Sequence, residues 1–404
     1  DRWDHYSESM ILLILGLGRA AVLLGLAAPW LVENILGRGF NDPQQIQLTV
    51  SLLRIQLVAP VIFGISGLLM AIHNAQQHFL LPALAPTFHW LGWILGSWFL
   101  VPRLGISGLA WGVLVGAVLH LSIQLAGLRR VRPHYVATLG LKDPSVRMVG
   151  RLMAPRLFGV AIVQLNFLVN VILASGMAVG SLTGITLGFA IMLMPQIVIA
   201  QAVAIAALPT FSSQAAKGEM VEMRRSLAST LRGVIFLSLP ASLGLILLRV
   251  PLVTLLFQRG EFDSNSTELV AWAVLWYSTG LVGHSLVEIV SRAFYALKDT
   301  RTPVTVGAAA MALNVVLSIG LSRLFLRLGW LPHGGLALAN SIATGLEAIA
   351  LLWLVSRRLE GIEIARIRPG IAASLLATAA MGFGLMLWLA ATEGRPAWVV
   401  ALGG

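Results

Sequence analysis

Charged and amide side chains recur inside stretches of this sequence that are otherwise apolar, and that placement limits the chemistry they can do. His284, Glu288 and Arg292 fall at i, i+4 and i+8, so on a helix they form one stripe, with Glu ahead of Arg in the favourable order. Arg19 sits about eleven residues into the first apolar run, too deep for easy snorkelling. Arg54 lies about one to two turns inside the second run, and Arg156 directly follows Pro155. A charge inside a membrane span is costly and marks a ligand or ion path by default, which makes Arg19, Arg54, Arg156, Glu288 and Arg292 the candidates for lining a binding cavity. Each has a plainer alternative. Arg19 could sit in a structural ion pair, Arg54 could reach the interface, Arg156 could snorkel to head groups, and Glu288 with Arg292 could brace or gate their own helix. Asn166, Asn170, His284 and Asn314 are candidates for gate or ion contacts, beside an ordinary use in interhelical hydrogen bonds that Gln164, Gln196 and Gln201 share.

This is binding and relay chemistry, with nothing to make or break bonds. The sequence has no His-Glu-x-x-His, no Gly-x-Ser-x-Gly and no Walker loop, and its eight His are scattered. Zero cysteines exclude disulfides and thiolate-held metals, and no metal site is expected. The protein is therefore not expected to be an enzyme or to hydrolyse ATP. Any work it does must draw on a gradient, the membrane potential or substrate flux.

The elements that position these residues are membrane helices. With 57% apolar residues and 11% charged, the chain falls far from a soluble composition, and its apolar runs of about 20 residues or more are helix length rather than strand length. Eleven spans are expected, at 9–36, 46–74, 80–101, 105–127, 150–177, 182–211, 225–257, 265–296, 303–322, 334–356 and 369–391, with a further apolar stretch from Ala397. Counting connections alternately from the N-terminus, one side carries fifteen cations and the other six, so the N-terminal side is expected to be cytoplasmic. The net charge of +11 is thus topological, and nucleic acid is not an expected partner. Pro29, Pro60, Pro86, Pro155, Pro195, Pro240 and Pro251 are expected to kink spans. Asp143-Pro144 reads as the N-cap and first position of a short helix along the membrane surface. Gly108, Gly112 and Gly116 recur on one face and permit close helix packing.

An internal repeat organises the chain. LGRGFND at 36–42 matches FQRGEFD at 257–263; Arg38 to Arg259, Ala75 to Ala296 and Pro82 to Pro303 all share an offset of 221, and Gly108 to Gly335 gives 227. The offset crosses six spans, so the copies enter the membrane from the same side as parallel repeats. The expected organisation is an N-terminal lobe at 1–130, a cytoplasmic linker with an interfacial helix at 131–149, a six-helix C-terminal lobe at 150–358, and an extra helix with a stub of the next at 359–404. The second copy has two spans ahead of its Arg259 turn that the first lacks, so roughly seventy residues are expected to precede Asp1.

FQRGEFD, RAFYALKDTRTP, HNAQQHFLLPALAP and LPTFSSQAAKGE resemble the MurJ (MviN) lipid II flippases of the MOP (multidrug/oligosaccharidyl-lipid/polysaccharide) exporter superfamily, over essentially the whole chain. The resemblance implies an all-α, two-lobed MATE/MOP-like bundle in the bacterial cytoplasmic membrane. It implies translocation of the undecaprenyl-linked peptidoglycan precursor, lipid II, from inner to outer leaflet by alternating access, with membrane lipids around it. A monomer is expected, working beside the cell-wall synthesis machinery. Arginine suits the diphosphate through its forked donors. The sequence also departs from the family: Ala190 and Leu193 stand where an Arg and a Glu are usual, and Asn170 where an acid is usual. Without a carboxylate at Asn170, sodium coupling near Asn170 and Asn314 loses its best ligand, which leaves the membrane potential as the other expected drive. No other cofactor is expected. Two alternatives follow from the neutral positions: another exporter of the superfamily, for polysaccharide-linked lipids or small cations, or a non-transporting membrane scaffold of the same fold.

Overall fold

The computed structural model describes residues 2–37, 39, 40, 42–128, 161 and 164–403, and among them all regular structure is helical. The expected surface helix at Asp143-Pro144, the linker at 131–149, and Arg38, Pro155 and Arg156 lie outside the described residues.

The chain forms two compact units, Asp1–Phe158 and Gly159–Gly404. In the first, α1 (Arg2–Leu31) runs into a π-helical turn (Val32–Leu36), followed by α2 (Pro43–Gln56), α3 (Val58–Ala75), α4 (Leu80–Leu104) and α5 (Ile106–Leu128). The second holds α6 (Gln164–Ser175), α7 (Ser181–Gln196), a π-helical turn (Ile197–Gln201), α8 (Ala202–Ala216), α9 (Met220–Phe257), α10 (Ser264–Ser278), α11 (Leu281–Ala296), α12 (Arg301–Arg327), α13 (His333–Arg358), α14 (Ile364–Ala391) and α15 (Ala397–Gly403). Eight of the described helical segments are long and apolar enough to cross a membrane, and the bent pair α10–α11 makes a ninth. At 25 residues α4 also has the length, although Pro82, Pro86, His89, Ser97, Pro102 and Arg103 dilute its apolar character. Helix α9 begins at Met220, five residues before the expected 225, and its 38 residues reach about 57 Å, so its charged first turns extend beyond a hydrocarbon layer of about 30 Å. Helices α14 and α15 pack on α9 and so belong to the second unit.

The repeat is visible in local geometry, each unit taken by itself. Helices α2 and α10 start at Pro43 and Ser264, α3 and α11 end at Ala75 and Ala296, and α4 and α12 start at Leu80 and Arg301, all 221 apart. Both α2 and α10 are capped by an aspartate: Asp42 accepts from the Gln44 amide at 2.9 Å and Asp263 from the Ser266 amide at 2.8 Å. The turns after α3 and α11 each place a non-glycine residue in the left-handed region, Gln77 at φ 62° and Lys298 at φ 58°. Gly108 and Gly335 do the same packing job. A Cβ on Gly108 would lie 2.6 Å from the Leu100 carbonyl carbon, and one on Gly335 would lie 2.6 Å from that of Leu321.

These close approaches explain how the bundle holds together in lipid, where burying apolar surface between helices gains little and contact between backbones gains more. The expected glycine face of α5 meets α4 through Gly112 and Gly116, whose Cα atoms lie 2.9 and 2.7 Å from where Cβ atoms on Gly96 and Gly92 would be. In the second unit, Gly283 faces Gly345, and Gly188 faces Ala273, in the same manner.

The apolar run at 265–296 is not one straight helix: α10 and α11 meet at 49° across Thr279 and Gly280. A broken helix in a membrane must satisfy its freed carbonyls. Here Ser341 of α13 donates to the Trp276 carbonyl at 2.7 Å, Thr279 donates to the same carbonyl at 2.7 Å, and Ser242 of α9 donates to the Ser278 carbonyl at 2.6 Å. A Cβ on Gly280 would lie 2.6 Å from the Ser341 hydroxyl, so glycine is what lets α13 come close enough. The corresponding break in the first unit falls at Leu57, just before Pro60.

Of the prolines expected to kink spans, Pro29 and Pro195 are each followed within three residues by a π-helical turn, whereas α9 continues as one α-helix past Pro240 and Pro251. Nine positions separate Pro29 from Arg38 and eight separate Pro251 from Arg259. The first copy therefore carries one extra residue, and its π-helical turn accommodates it.

The Asp263 cap gives a pH prediction. Hydrogen bonds from the Ser266 backbone and side chain hold this exposed carboxyl below its usual range. A depressed carboxylate contributes stability above its unfolded pKa of about 3.9 and loses it as pH falls through the folded value. The melting-temperature gap between wild type and Asp263→Ala in detergent should therefore close in the acid range below about pH 4. A gap that stays constant with pH contradicts this role for the cap.

Candidate functional site

In the second unit, α6, α7, α11, α12 and α13 enclose a cavity of about 240 Å³, lined among others by Asn166, Phe189, His284, Asn314, Asn340 and Glu347. An adjoining space of about 130 Å³ shares Asn166, Phe167, Phe189 and Asn340 and adds Asn170 and Tyr277. Three of the candidates for gate or ion contacts, Asn166, His284 and Asn314, thus share one cavity, and Asn170 opens onto the next.

The amides are largely occupied with each other. Asn166 Oδ1 accepts long hydrogen bonds from Asn170 Nδ2 and Asn314 Nδ2, both 3.4 Å, while Asn166 Nδ2 reaches the Met311 carbonyl at 3.5 Å. Asn314 Oδ1 accepts from the Ser318 hydroxyl at 3.2 Å. His284 Nε2 lies 3.0 Å from Asn340 Oδ1, so the imidazole donates there, and its ring meets the edge of Phe189 with centroids 6.0 Å apart. The interhelical hydrogen bonds expected of these amides are present; they tie α6 to α12 and α11 to α13.

Sequence reasoning missed Glu347. It stands 14 residues from the start of α13 and 11 from its end, half-buried in the cavity wall. Among the described residues it has no ion-pair or hydrogen-bond partner. A Cβ on Gly307 of α12 would lie 3.2 Å from its Oε1, so a glycine makes room for the carboxyl. The second unit is therefore not as neutral as Asn170, Ala190 and Leu193 suggest.

Glu288 and Arg292 form the expected pair, Nη2 to Oε1 at 2.6 Å, with side chains 25% and 26% exposed. The Arg292 guanidinium lies 5.7 Å from the centre of the Tyr295 ring, and its Nε is buried without a partner. The pair braces α11 and leaves the buried Nε–H of the fork without a partner. It follows His284 along α11 but does not line the amide cavity.

The two first-unit arginines differ from each other. Arg54 donates from Nε to the Gly25 carbonyl at 3.0 Å. Pro29 has no N–H to give that carbonyl its i+4 partner, so Arg54 fills a vacancy made by the proline. This gives Arg54 a structural role through Nε, while its side chain is exposed. Arg19 is exposed on α1 and has no ion pair or hydrogen bond among the described residues. The Arg54 role implies a coupling: Arg54→Met should cost about 1 kcal/mol in wild type and close to nothing in a Pro29→Ala background, where the restored amide serves Gly25. Equal costs in both backgrounds, from denaturation of the detergent-solubilised protein, would rule out this partnership.

Comparison with known proteins supplies the wider frame. A family model described as "MurJ: Lipid II flippase MurJ" matches residues 6–402. A lipid II flippase MurJ from Burkholderia cenocepacia is 31% identical over 380 residues, covering 91% of this chain and 71% of that protein. A probable lipid II flippase MurJ from Vibrio cholerae is 30% identical, covering 93% and 70%. Among solved structures, a lipid II flippase MurJ in an inward closed conformation superposes with a TM-score of 0.81 at 22% identity, covering 98% of this chain and 82% of the other. An inward-facing multidrug resistance MATE family transporter of the MOP superfamily gives 0.69 at 16% identity, covering 94% and 81%. At those identities the structural likeness is one of fold.

Proposed function

This chain belongs to the MurJ lipid II flippase family, and from that premise we propose that it moves lipid II from the cytoplasmic to the outer leaflet of the bacterial inner membrane by alternating access. It is a multi-pass membrane protein and not an enzyme. The observation that carries the reading is the family match across residues 6–402, which spans both copies of the repeat. A polyanionic diphosphate needs a cationic, hydrated route, while its lipid tail can stay in the bilayer. Of the candidate arginines, Arg19 is exposed on an apolar helix with no partner among the described residues, which suits it to that route, while Arg292 is held by Glu288. Arg156 is the third candidate, from the sequence. The excess of Lys and Arg on one set of connections supports a cytoplasmic N-terminal side. The protein works as a monomer beside the cell-wall synthesis machinery, and the membrane potential, acting on charge carried across the bilayer at about 2.3 kcal/mol per 100 mV, supplies drive.

The test is complementation. A bacterium depleted of its own MurJ should grow when this protein is supplied, and Arg19→Ala should abolish the rescue at unchanged expression and melting temperature. Failure of the well-expressed wild type to rescue would count against lipid II as the substrate. Full rescue by Arg19→Ala would remove Arg19 from the route.

A further inference from the structure

We propose that the cavity around Glu347, His284 and Asn340 is a proton-binding site, with the Glu347 carboxyl as the group that takes up and releases the proton. Glu347 is near the middle of α13, so an ionised carboxylate there has to be neutralised by a cation or a proton. Among the described residues no basic side chain does it. Of the helices packed on α13, α7 carries no titratable residue, and α12 carries only Arg301, Arg323 and Arg327, all near its ends. Helix α10 offers Glu268 and Tyr277, and α11 offers His284 on the cavity, with Glu288 and Arg292 already paired to each other and Tyr295 next to the helix end. Those on α13 itself, His333, Arg357 and Arg358, lie at its termini.

A metal cation fits the lining poorly. Hard cations want several oxygens, preferably charged. The amide oxygens that Asn166, Asn314 and Asn340 could offer are each engaged by another side chain, and no group of three acidic or histidine residues suited to a metal occurs among the described residues. A proton needs one carboxyl and room for water beside it. The cavity of about 240 Å³ has the Glu347 carboxyl in its wall and is large enough for several waters, with His284 as a second exchangeable group on the same wall.

Proton binding at Glu347 stands by itself, while its role in driving the transport cycle rests on the flippase reading above. The experiment therefore contains no lipid II, and its failure would leave that reading untouched. The purified protein is exposed to dicyclohexylcarbodiimide, which reaches carboxyls through an apolar phase and reacts with the protonated form: the carboxyl proton passes to the reagent nitrogen as the carboxylate oxygen bonds its central carbon. Mass spectrometry should find the adduct on Glu347, its rate falling about tenfold per pH unit above the titration midpoint and unchanged when sodium replaces choline. Protection by sodium, or a rate flat with pH, overturns the proposal. Infrared difference spectra between acid and alkaline buffer give a second reading on unlabelled protein. A carboxyl band lost in Glu347→Gln and kept in Glu347→Asp is expected, and identical spectra for wild type and Glu347→Gln overturn it.

Discussion

Arg292→Ala should destabilise the protein by about 3 kcal/mol, because it leaves the Glu288 carboxylate three-quarters buried with no counter-charge. The pair itself is a weak stabiliser, since taking both groups out of water costs nearly as much as their attraction returns. Removing both charges should therefore cost less than removing one. The double variant Glu288→Gln/Arg292→Gln should melt closer to wild type than Arg292→Ala does, with a coupling of 2 kcal/mol or so in a double-mutant cycle. The expected contrast with Arg19 is sharp. Arg19 has no partner among the described residues, so its truncation should remove rescue and leave stability alone, whereas Arg292→Ala loses both. An Arg292→Ala protein that melts within about 0.5 kcal/mol of wild type would show that the pair does not brace α11.

The second large effect concerns Gly335 and its repeat partner Gly108. Gly→Ala inside a helix ordinarily stabilises by about 1 kcal/mol. At Gly335 the new methyl would sit 2.6 Å from the Leu321 carbonyl carbon and 2.6 Å from the Ser322 nitrogen, and at Gly108 it would sit 2.5 Å from the Val101 nitrogen. Backbone cannot swing aside as a side chain can, so α13 must lift off α12, and α5 off α4. The substitution is expected to change sign, to a loss of about 2–3 kcal/mol at each site. Gly320 on α12 is the control, because nothing lies within 4 Å of its would-be Cβ, and Gly320→Ala should be neutral or stabilising. Thermal melts of the three variants decide it: a Gly335→Ala protein as stable as Gly320→Ala would mean the two helices can separate freely.

Much of this fold was legible in the residues because membrane helices advertise themselves. The 221-residue offset appears again as matched helix starts, matched Asp caps and matched left-handed turns, since each depends on a few local residues that both copies kept. The glycine face of α5 was legible for the same reason. Other features depend on what tertiary packing brings alongside. Pro29 announces that the Gly25 carbonyl loses its amide, but only the placement of α2 against α1 shows that Arg54 takes it. The 49° break at Gly280 falls inside an uninterrupted apolar run, and the hydroxyls that make it tolerable come from α9 and α13. Glu347 was overlooked because it has no charged neighbour at i±4, where Ala343 and Leu351 stand, so a search for paired charges passes over it. Its isolation in an apolar helix was itself the signal.

The extra residue between Pro29 and Arg38 has a consequence in helical phase. One residue of an α-helix is about 100° of rotation and 1.5 Å of rise, so absorbing it as a π-helical turn keeps the rest of α1 from turning a different face inward. Without that turn, the stripe bearing Arg19 would point about a quarter of a circle away from its present direction. Deleting Trp30 would match the spacing of the second copy, where Pro251 and Arg259 are eight positions apart, and should remove the π-helical turn while leaving the direction of the upstream side chains unchanged. The two copies share a plan but differ by that single residue, and the π-helical turn is what keeps an arginine's direction in the first unit independent of it.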